Sequence, residues 1–231
     1  MDLVGAGVRQ ALDLLLGGDP EIWAILLLSL QVSGSATLLA LALGIPAGAA
    51  LALARFPGRT LVVSAVNTGM GLPPVVVGLF VTLLLWRSGP LGAWEILFTP
   101  AALVLAQAVI AAPIVTGITL AAVGQVPATF RLQLLGLGAS RAQMVWVTLR
   151  EARLPMLAAV MAGFGGVISE IGASMMVGGN IRGQTRTLTT AMVLETSKGN
   201  FDVAIALALL LLALVFAVNW ALTAIQQRRV S

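Results

Sequence analysis

Side chains able to do chemistry are few in this sequence, and most kinds are missing. Its 231 residues include no histidine and no cysteine, so thiolate and imidazole catalysis, disulfides and the usual zinc ligands are all excluded. The one lysine, Lys198, stands in Ser-Lys-Gly-Asn and not in a Gly-rich phosphate loop ending Gly-Lys-Ser/Thr, so the chain cannot hydrolyse ATP through that motif. What remains is one acid deep in an apolar run, Glu170, and a polar group after it: Asn180, Arg182, Arg186, Thr187 and Thr189. A carboxylate near a bilayer centre costs about 2.5–3.5 kcal/mol to insert, so Glu170 must be paired, protonated or facing water. It is either a gate or pathway residue or a hydrogen-bonded packing residue. Arg182 and Arg186 offer an electropositive entrance or gate for an anion. The alternative is a solvated loop whose arginines pair with Glu195 or Asp202. Pro73-Pro74, among Gly69, Gly71 and Gly78, breaks an apolar run. Irregular backbone at that depth survives where protein or a water-filled cavity satisfies its freed groups, which makes the two prolines candidates for lining a pathway.

The elements that must position these residues are membrane spans. With 59% hydrophobic residues, 10% charged residues and a mean hydropathy of +1.02, the chain is no soluble enzyme, disordered segment or nucleic-acid-binding domain. No cofactor is called for. Five segments are long enough to cross a core about 30 Å thick: 22–54, 61–86, 100–122, 155–179 and 203–225. Gly44-Ile45-Pro46 is expected to kink the first. Its Ser29, Ser33, Thr37, Ala40, Gly44 and Gly48 recur every three or four residues, a stripe for close helix packing. Residues 3–16 carry Val4, Val8, Leu12 and Leu15 on one helical face and are too short to span, which predicts an interfacial helix. Eight basic residues (Arg55, Arg59, Arg131, Arg141, Arg150, Arg153, Arg228 and Arg229) share one face with a single acid, Glu151. That face should be cytoplasmic, with the N-terminus outside and the C-terminus inside. The odd number of spans, and the lack of any internal repeat, weigh against two equal inverted repeats. The prediction is an all-α membrane protein of one domain: five transmembrane helices plus the interfacial helix.

The longest cytoplasmic loop, 123–154, opens at Gln125-Val-Pro127 and closes at Leu154-Pro155. Leu132–Leu137 and Ala142–Leu149 are apolar enough for two helices, with Gly138-Ala139-Ser140 as the turn. Such a basic, apolar hairpin wants a protein surface to bury itself on, or the anionic inner leaflet of the lipid.

Here the sequence resembles the membrane subunits of type I ABC importers, which share a MetI-like fold. Their signature is Glu-Ala-Ala, a Gly six residues after the Glu, and a later Leu-Pro. Gly138 matches the Gly, while Leu132 stands for the Glu and Gln133-Leu134 for the alanines. The expected Pro falls on Glu151, with Leu154-Pro155 one turn later. Three further stretches look like the molybdate/tungstate branch: Gly71-Leu-Pro-Pro-Val-Val-Val-Gly78, Ser169-Glu170-Ile-Gly-Ala173, and 178–188. Arg150-Glu-Ala-Arg153 and Phe56-Pro-Gly-Arg59 look most like tungstate permeases. The resemblance implies that 131–147 is a coupling segment, its contacts made by Leu132, Gln133, Leu134, Gly138, Ala139, Ser140 and Arg141. It further implies a permease homodimer, two cytoplasmic ATPase subunits and an external oxyanion-binding protein. Pro73, Pro74, Glu170, Asn180, Arg182 and Arg186 would then belong to the pathway or its gate. An anionic cargo argues against a bare carboxylate there and favours packing for Glu170. The rivals are the same machine carrying molybdate or, less readily, sulfate; a stand-alone secondary transporter working through Glu170; and a membrane-embedded enzyme, for which little chemistry remains.

Overall fold

The structure is a computed structural model that describes residues 17–227 without a break and, before them, residues 5, 7–10 and 13. Most of the 3–16 interfacial helix therefore lies outside the described residues, as do Arg228 and Arg229. Within it, residues 7–10 are helical and Gly7 lies against Ile205.

The first long helix, α1 (Pro20–Leu53), begins where sequence chemistry says a helix can begin. Asp19 accepts the Glu21 backbone N–H at 2.8 Å, and Pro20 occupies the first turn. It runs on through Pro46 as one helix, at least twenty ångströms longer than the roughly 30 Å of hydrocarbon it would cross. Its stripe of small residues does what the spacing predicts. Ser29, Ser33, Thr37, Ala40, Gly44 and Gly48 are all buried. A methyl added at Gly44 would meet Val115, and one at Gly48 would meet Thr116 and Thr119. Those partners belong to α4 (Pro100–Gly124), and the α1–α4 pair is the spine of the molecule.

Between them lies the 61–86 run, which is not one straight span. It divides into α2 (Arg59–Met70) and α3 (Pro74–Leu85), which meet at 101°. Pro73 caps α3 and Pro74 starts it, because a ring without an N–H fits a helix start and not its interior.

After α4 come α5 (Ala128–Gly136), α6 (Arg141–Glu151), α7 (Arg153–Ile168) and α8 (Gly172–Gly178). The 155–179 run is likewise two helices, α7 and α8, parted at Ser169–Ile171, and α6 enters α7 at 68°. Gly78 of α3 lies against Ala173 of α8, so a methyl there would overlap the Ala173 backbone.

The stretch after α8 was expected to be a plain loop, but it holds a further helix, α9 (Leu188–Lys198). Thr187 and Thr190 form a reciprocal capping box at its start, and Gly199 ends it at φ 81°. α9 packs on α10 (Phe201–Gln227) and on the start of α1, with Leu188, Ile22, Ile25, Leu207 and Leu210 as their shared core.

Three helices, α1, α4 and α10, are each long and apolar enough to cross a membrane. Counting each bent pair, α2–α3 and α6–α7, as one span gives five.

Candidate translocation pathway and coupling hairpin

The 61–86 and 155–179 runs meet where each is broken. Val75, at the start of α3, lies against Gly172 at the start of α8, where a methyl would overlap it. Glu170 sits at this junction, 6% exposed. One carboxylate oxygen accepts the Ala173 N–H and the other the Ser174 N–H, each at 3.0 Å. Its backbone carbonyl accepts the Thr189 hydroxyl at 3.0 Å. The acid thus satisfies the free N–H groups of the second half-helix and complements its positive end. This is the hydrogen-bonded packing geometry, with both oxygens engaged.

A second buried polar chain ties the halves together. Ser33 donates to Gln107 Oε1 at 3.1 Å, Gln107 Nε2 reaches Ser174 Oγ at 3.4 Å, and Ser29 Oγ accepts the Leu188 N–H at 2.8 Å. Gln107 escaped the sequence reading because a lone amide in an apolar run has no motif. Its signal was being polar at membrane depth, the same signal that singled out Glu170.

At one end of the bundle the 180–187 turn closes over the start of α1. Asn180 has a left-handed backbone (φ 51°) and donates Nδ2–H to the Thr190 carbonyl at 3.3 Å. Thr185 donates to the Gly178 carbonyl at 2.5 Å and accepts the Ile181 N–H at 3.0 Å. Thr187 and Thr189, read from sequence as loop residues, are buried in the cap and first turn of α9. Among the described residues neither Arg182 nor Arg186 forms an ion pair with Glu195 or Asp202, although Arg186 is near enough to act on Glu195. Arg182 donates through both Nε (2.8 Å) and Nη2 to the Glu21 carboxylate, and Arg186 Nη1 stands 3.6 Å from it. Glu195 is occupied by Asn200 (2.7 Å) and Lys198 (2.7 Å), and these hydrogen bonds, Asn200's first, hold its carboxyl below the usual range. Two arginines thus share the Glu21 carboxylate, and Asp19 is close enough to act on Arg182 as well. The arginines flank a groove of about 540 Å³ that also takes in Gln31 and Gln184.

At the opposite end, α5 and α6 form a short hairpin. Gly138 turns it at φ 87°, with its N–H on the Leu135 carbonyl (3.0 Å) and the Ala139 N–H on the Leu134 carbonyl (3.0 Å). These are the paired bonds of a Schellman stop, which needs the left-handed residue that glycine supplies cheaply. Ser140 then caps α6 in a reciprocal box with Gln143. The hairpin leaves Leu137 86%, Leu132 66% and Trp146 61% exposed, with the Arg150 guanidinium 5.3 Å above the Trp146 ring. Gln133, Ser140 and Arg141 are exposed too, and Leu134 and Ala139 half-buried. The hairpin thus carries the seven expected coupling residues, beside apolar side chains that nothing among the described residues covers.

Residues 40–231 match the family described as the binding-protein-dependent transport system inner membrane component. The chain belongs to that family. It is 44% identical over 201 residues to a probable anion ABC transporter permease of Haloferax volcanii, covering 85% of this chain and 87% of that one. It is 36% identical over 227 residues to the tungstate uptake permease TupB of Peptoclostridium acidaminophilum, covering 98% of this chain and all of that one. The fold is similar to that of the inward-facing methionine ABC transporter MetNI, with a TM-score of 0.74 over 91% of this chain and 98% of that one, at 20% identity. The chain is a multi-pass membrane permease of an ABC importer, and ATP hydrolysis resides in its partner subunits. The binding-protein-dependent family places an ATPase and a binding protein beside this permease.

Proposed function

We propose that this permease imports tungstate or a similar oxyanion as a homodimer, with the pathway between the two copies. The observation that carries this reading is the 36% identity, over nearly the whole chain, to a tungstate uptake permease. The bare apolar face of the α5–α6 hairpin supports an ATPase docking there, and the two arginines lining the groove beside Glu21 support an anion entrance at the other end. Glu170 and the Pro73-Pro74 break shape the junction of the half-helices, where a gate must move. Molybdate is the nearest rival cargo. The deciding experiment is uptake by the permease reconstituted with its ATPase and oxyanion-binding protein, with tungstate, molybdate and sulfate in competition. Uptake that continues without ATP or ATPase would replace this reading with a secondary transporter.

In this reading the hairpin end is cytoplasmic and the N-terminus lies outside, because the basic residues gather at the hairpin end. An alkaline-phosphatase reporter is expected to be active when fused at Asp19, Gly89 or Asn200 and silent at Gly58, Ala139 or Ser231. Activity at both Ala139 and Ser231 reverses the orientation and removes the coupling assignment with it.

Replacing Arg182 and Arg186 together by Gln is expected to slow uptake on the order of tenfold at low salt, since two charges leave the pathway mouth. The subunits should still assemble, because Arg182 is mostly exposed and the largely covered Arg186 stands 3.6 Å from its acid, so no close buried pair is lost. The deficit should shrink as the Debye length falls from about 10 Å at 0.1 M salt to about 3 Å at 1 M. Uptake equal to wild type at low salt would leave these arginines a structural clasp on Glu21.

A further inference from the structure

None of the twelve residues of helix α2 is buried, although it packs at membrane depth. One side of it packs: Gly69 lies on Pro113, Met70 Sδ lies against Gly117, and Val62 and Val66 border an apolar cleft with α1 and α4. At roughly 100° per residue, Ser64, Asn67 and Gly71 fall on the opposite side, with Thr60 and Thr68 flanking them. Ser64, Asn67 and Thr68 are all exposed, and the Asn67 amide has no hydrogen-bond partner among the described residues. Thr68 alone is satisfied internally, donating to the Ser64 carbonyl at 2.8 Å.

The depth of this face decides what can cover it. Pro113 is midway along the 25-residue α4, and Gly117 is one turn further on. Asn67, less than a turn before Gly69, therefore lies inside the membrane and not at its edge. Lipid tails cannot satisfy the Asn67 amide and the Ser64 hydroxyl there. Another helix packed on α4 turns small residues outward as well: Ala158, Ala162 and Gly166 of α7 and Ser169 just past its end are exposed, and Gly166 reaches α4 at Ile114, next to the Pro113 that meets α2. A polar face beside a small-residue face at the same depth fits water and a second copy of this chain, and does not fit lipid.

We infer that Ser64, Asn67 and Thr68 form a wall of the anion pathway enclosed by two copies, and that Asn67 donates its amide N–H groups to the passing oxyanion. This rests on the oxyanion-importer reading above and assigns it a residue. The chemistry suits transit: an amide and hydroxyls are donors to an oxyanion but carry no charge, so they replace part of its hydration without trapping it as a buried arginine would.

The chain has no native cysteine, so single cysteines can be read cleanly. Ser64→Cys, Asn67→Cys, Val66→Cys and Leu212→Cys are placed in the assembled permease–ATPase complex in proteoliposomes and treated with a charged, water-soluble methanethiosulfonate. Val66 faces α4 and Leu212 is an exposed apolar residue of α10. Fast labelling at 64 and 67 that blocks uptake, with 66 and 212 protected, is the expected result. Asn67→Leu should lower the maximal uptake rate about tenfold, the worth of one hydrogen bond to an anion, while ATPase assembly stays intact and Asn67→Gln recovers most of the rate. Positions 64 and 67 as unreactive as 212, in a complex that imports normally, overturn the inference and leave the importer reading standing. A wild-type complex that needs no ATP overturns the importer reading itself. Ser64→Cys supplies the labelling result should Asn67→Cys fail to assemble.

Discussion

Glu170→Leu is expected to yield a permease that inserts but no longer holds its half-helices together, with an apparent melting midpoint in detergent roughly 10 °C below wild type. The figure follows from what the carboxylate does. It is buried, and its two oxygens satisfy the Ala173 and Ser174 N–H groups. Leucine has similar bulk and no acceptor, so both donors would be left bare at about 1–3 kcal/mol each. In a chain of this size each kcal/mol moves the midpoint by about 2–4 °C. Glu170→Gln keeps one acceptor oxygen and the shape, so it should lose about half as much. The secondary-transporter rival makes a different forecast: Glu170→Gln would be fully stable and would abolish ion-driven uptake. Melting curves of both variants beside ATP-driven uptake therefore separate the readings. A stable, inactive Gln variant favours an ion-coupled carboxylate; graded melting with residual ATP-driven uptake favours the helix cap.

The long apolar helices were legible because composition and length alone require them: α1, α4 and α10 each announce themselves as membrane-length runs. The breaks were half legible. Pro73-Pro74 marks one, since proline can open α3 and cannot continue α2. The other, at Ser169–Ile171, has no proline. It is held open by Glu170 capping α8, and a carboxylate bonding forward to backbone N–H groups reads in sequence only as a buried acid. The helix α9 was missed because its polar start, Thr187-Leu-Thr-Thr190, resembles loop composition, although the capping-box spacing was there to be read. The partner of the arginines was missed for a different reason. Glu195 and Asp202 are close in sequence, whereas Glu21 lies 161 residues from Arg182, and only the packing of α9 and the 180–187 turn on the start of α1 brings them together. Local signals found the elements; long-range pairings needed the fold.

Gly138→Trp is expected to abolish ATPase association or substrate-stimulated ATP hydrolysis while the permease still inserts and pairs with its second copy. At φ 87° the glycine sits where an L-residue is strained, by about 1–2 kcal/mol for the left-handed backbone. Nothing among the described residues lies within 4 Å of a methyl placed there, so they offer no internal clash and the fold should tolerate the change. The damage comes from elsewhere. The indole would stand out from the turn between Leu137 and Ser140, on the face where Leu132 and Leu137 are bare, and would hold a docking groove away from them. Burying two such leucines is worth about 3–6 kcal/mol, so a turn held a few ångströms off the partner forfeits a factor of at least a hundredfold in association. Gly138→Ala is the control: it carries the backbone strain without the bulk, and should weaken coupling only modestly. If instead the hairpin lies on the inner leaflet, tryptophan suits that interface, and Gly138→Trp should be as mild as Gly138→Ala. Co-purification of each variant with the ATPase, scored beside substrate-stimulated hydrolysis, reads the difference directly. A Gly138→Trp permease that stays fully coupled removes the hairpin from the ATPase groove and returns it to the membrane surface.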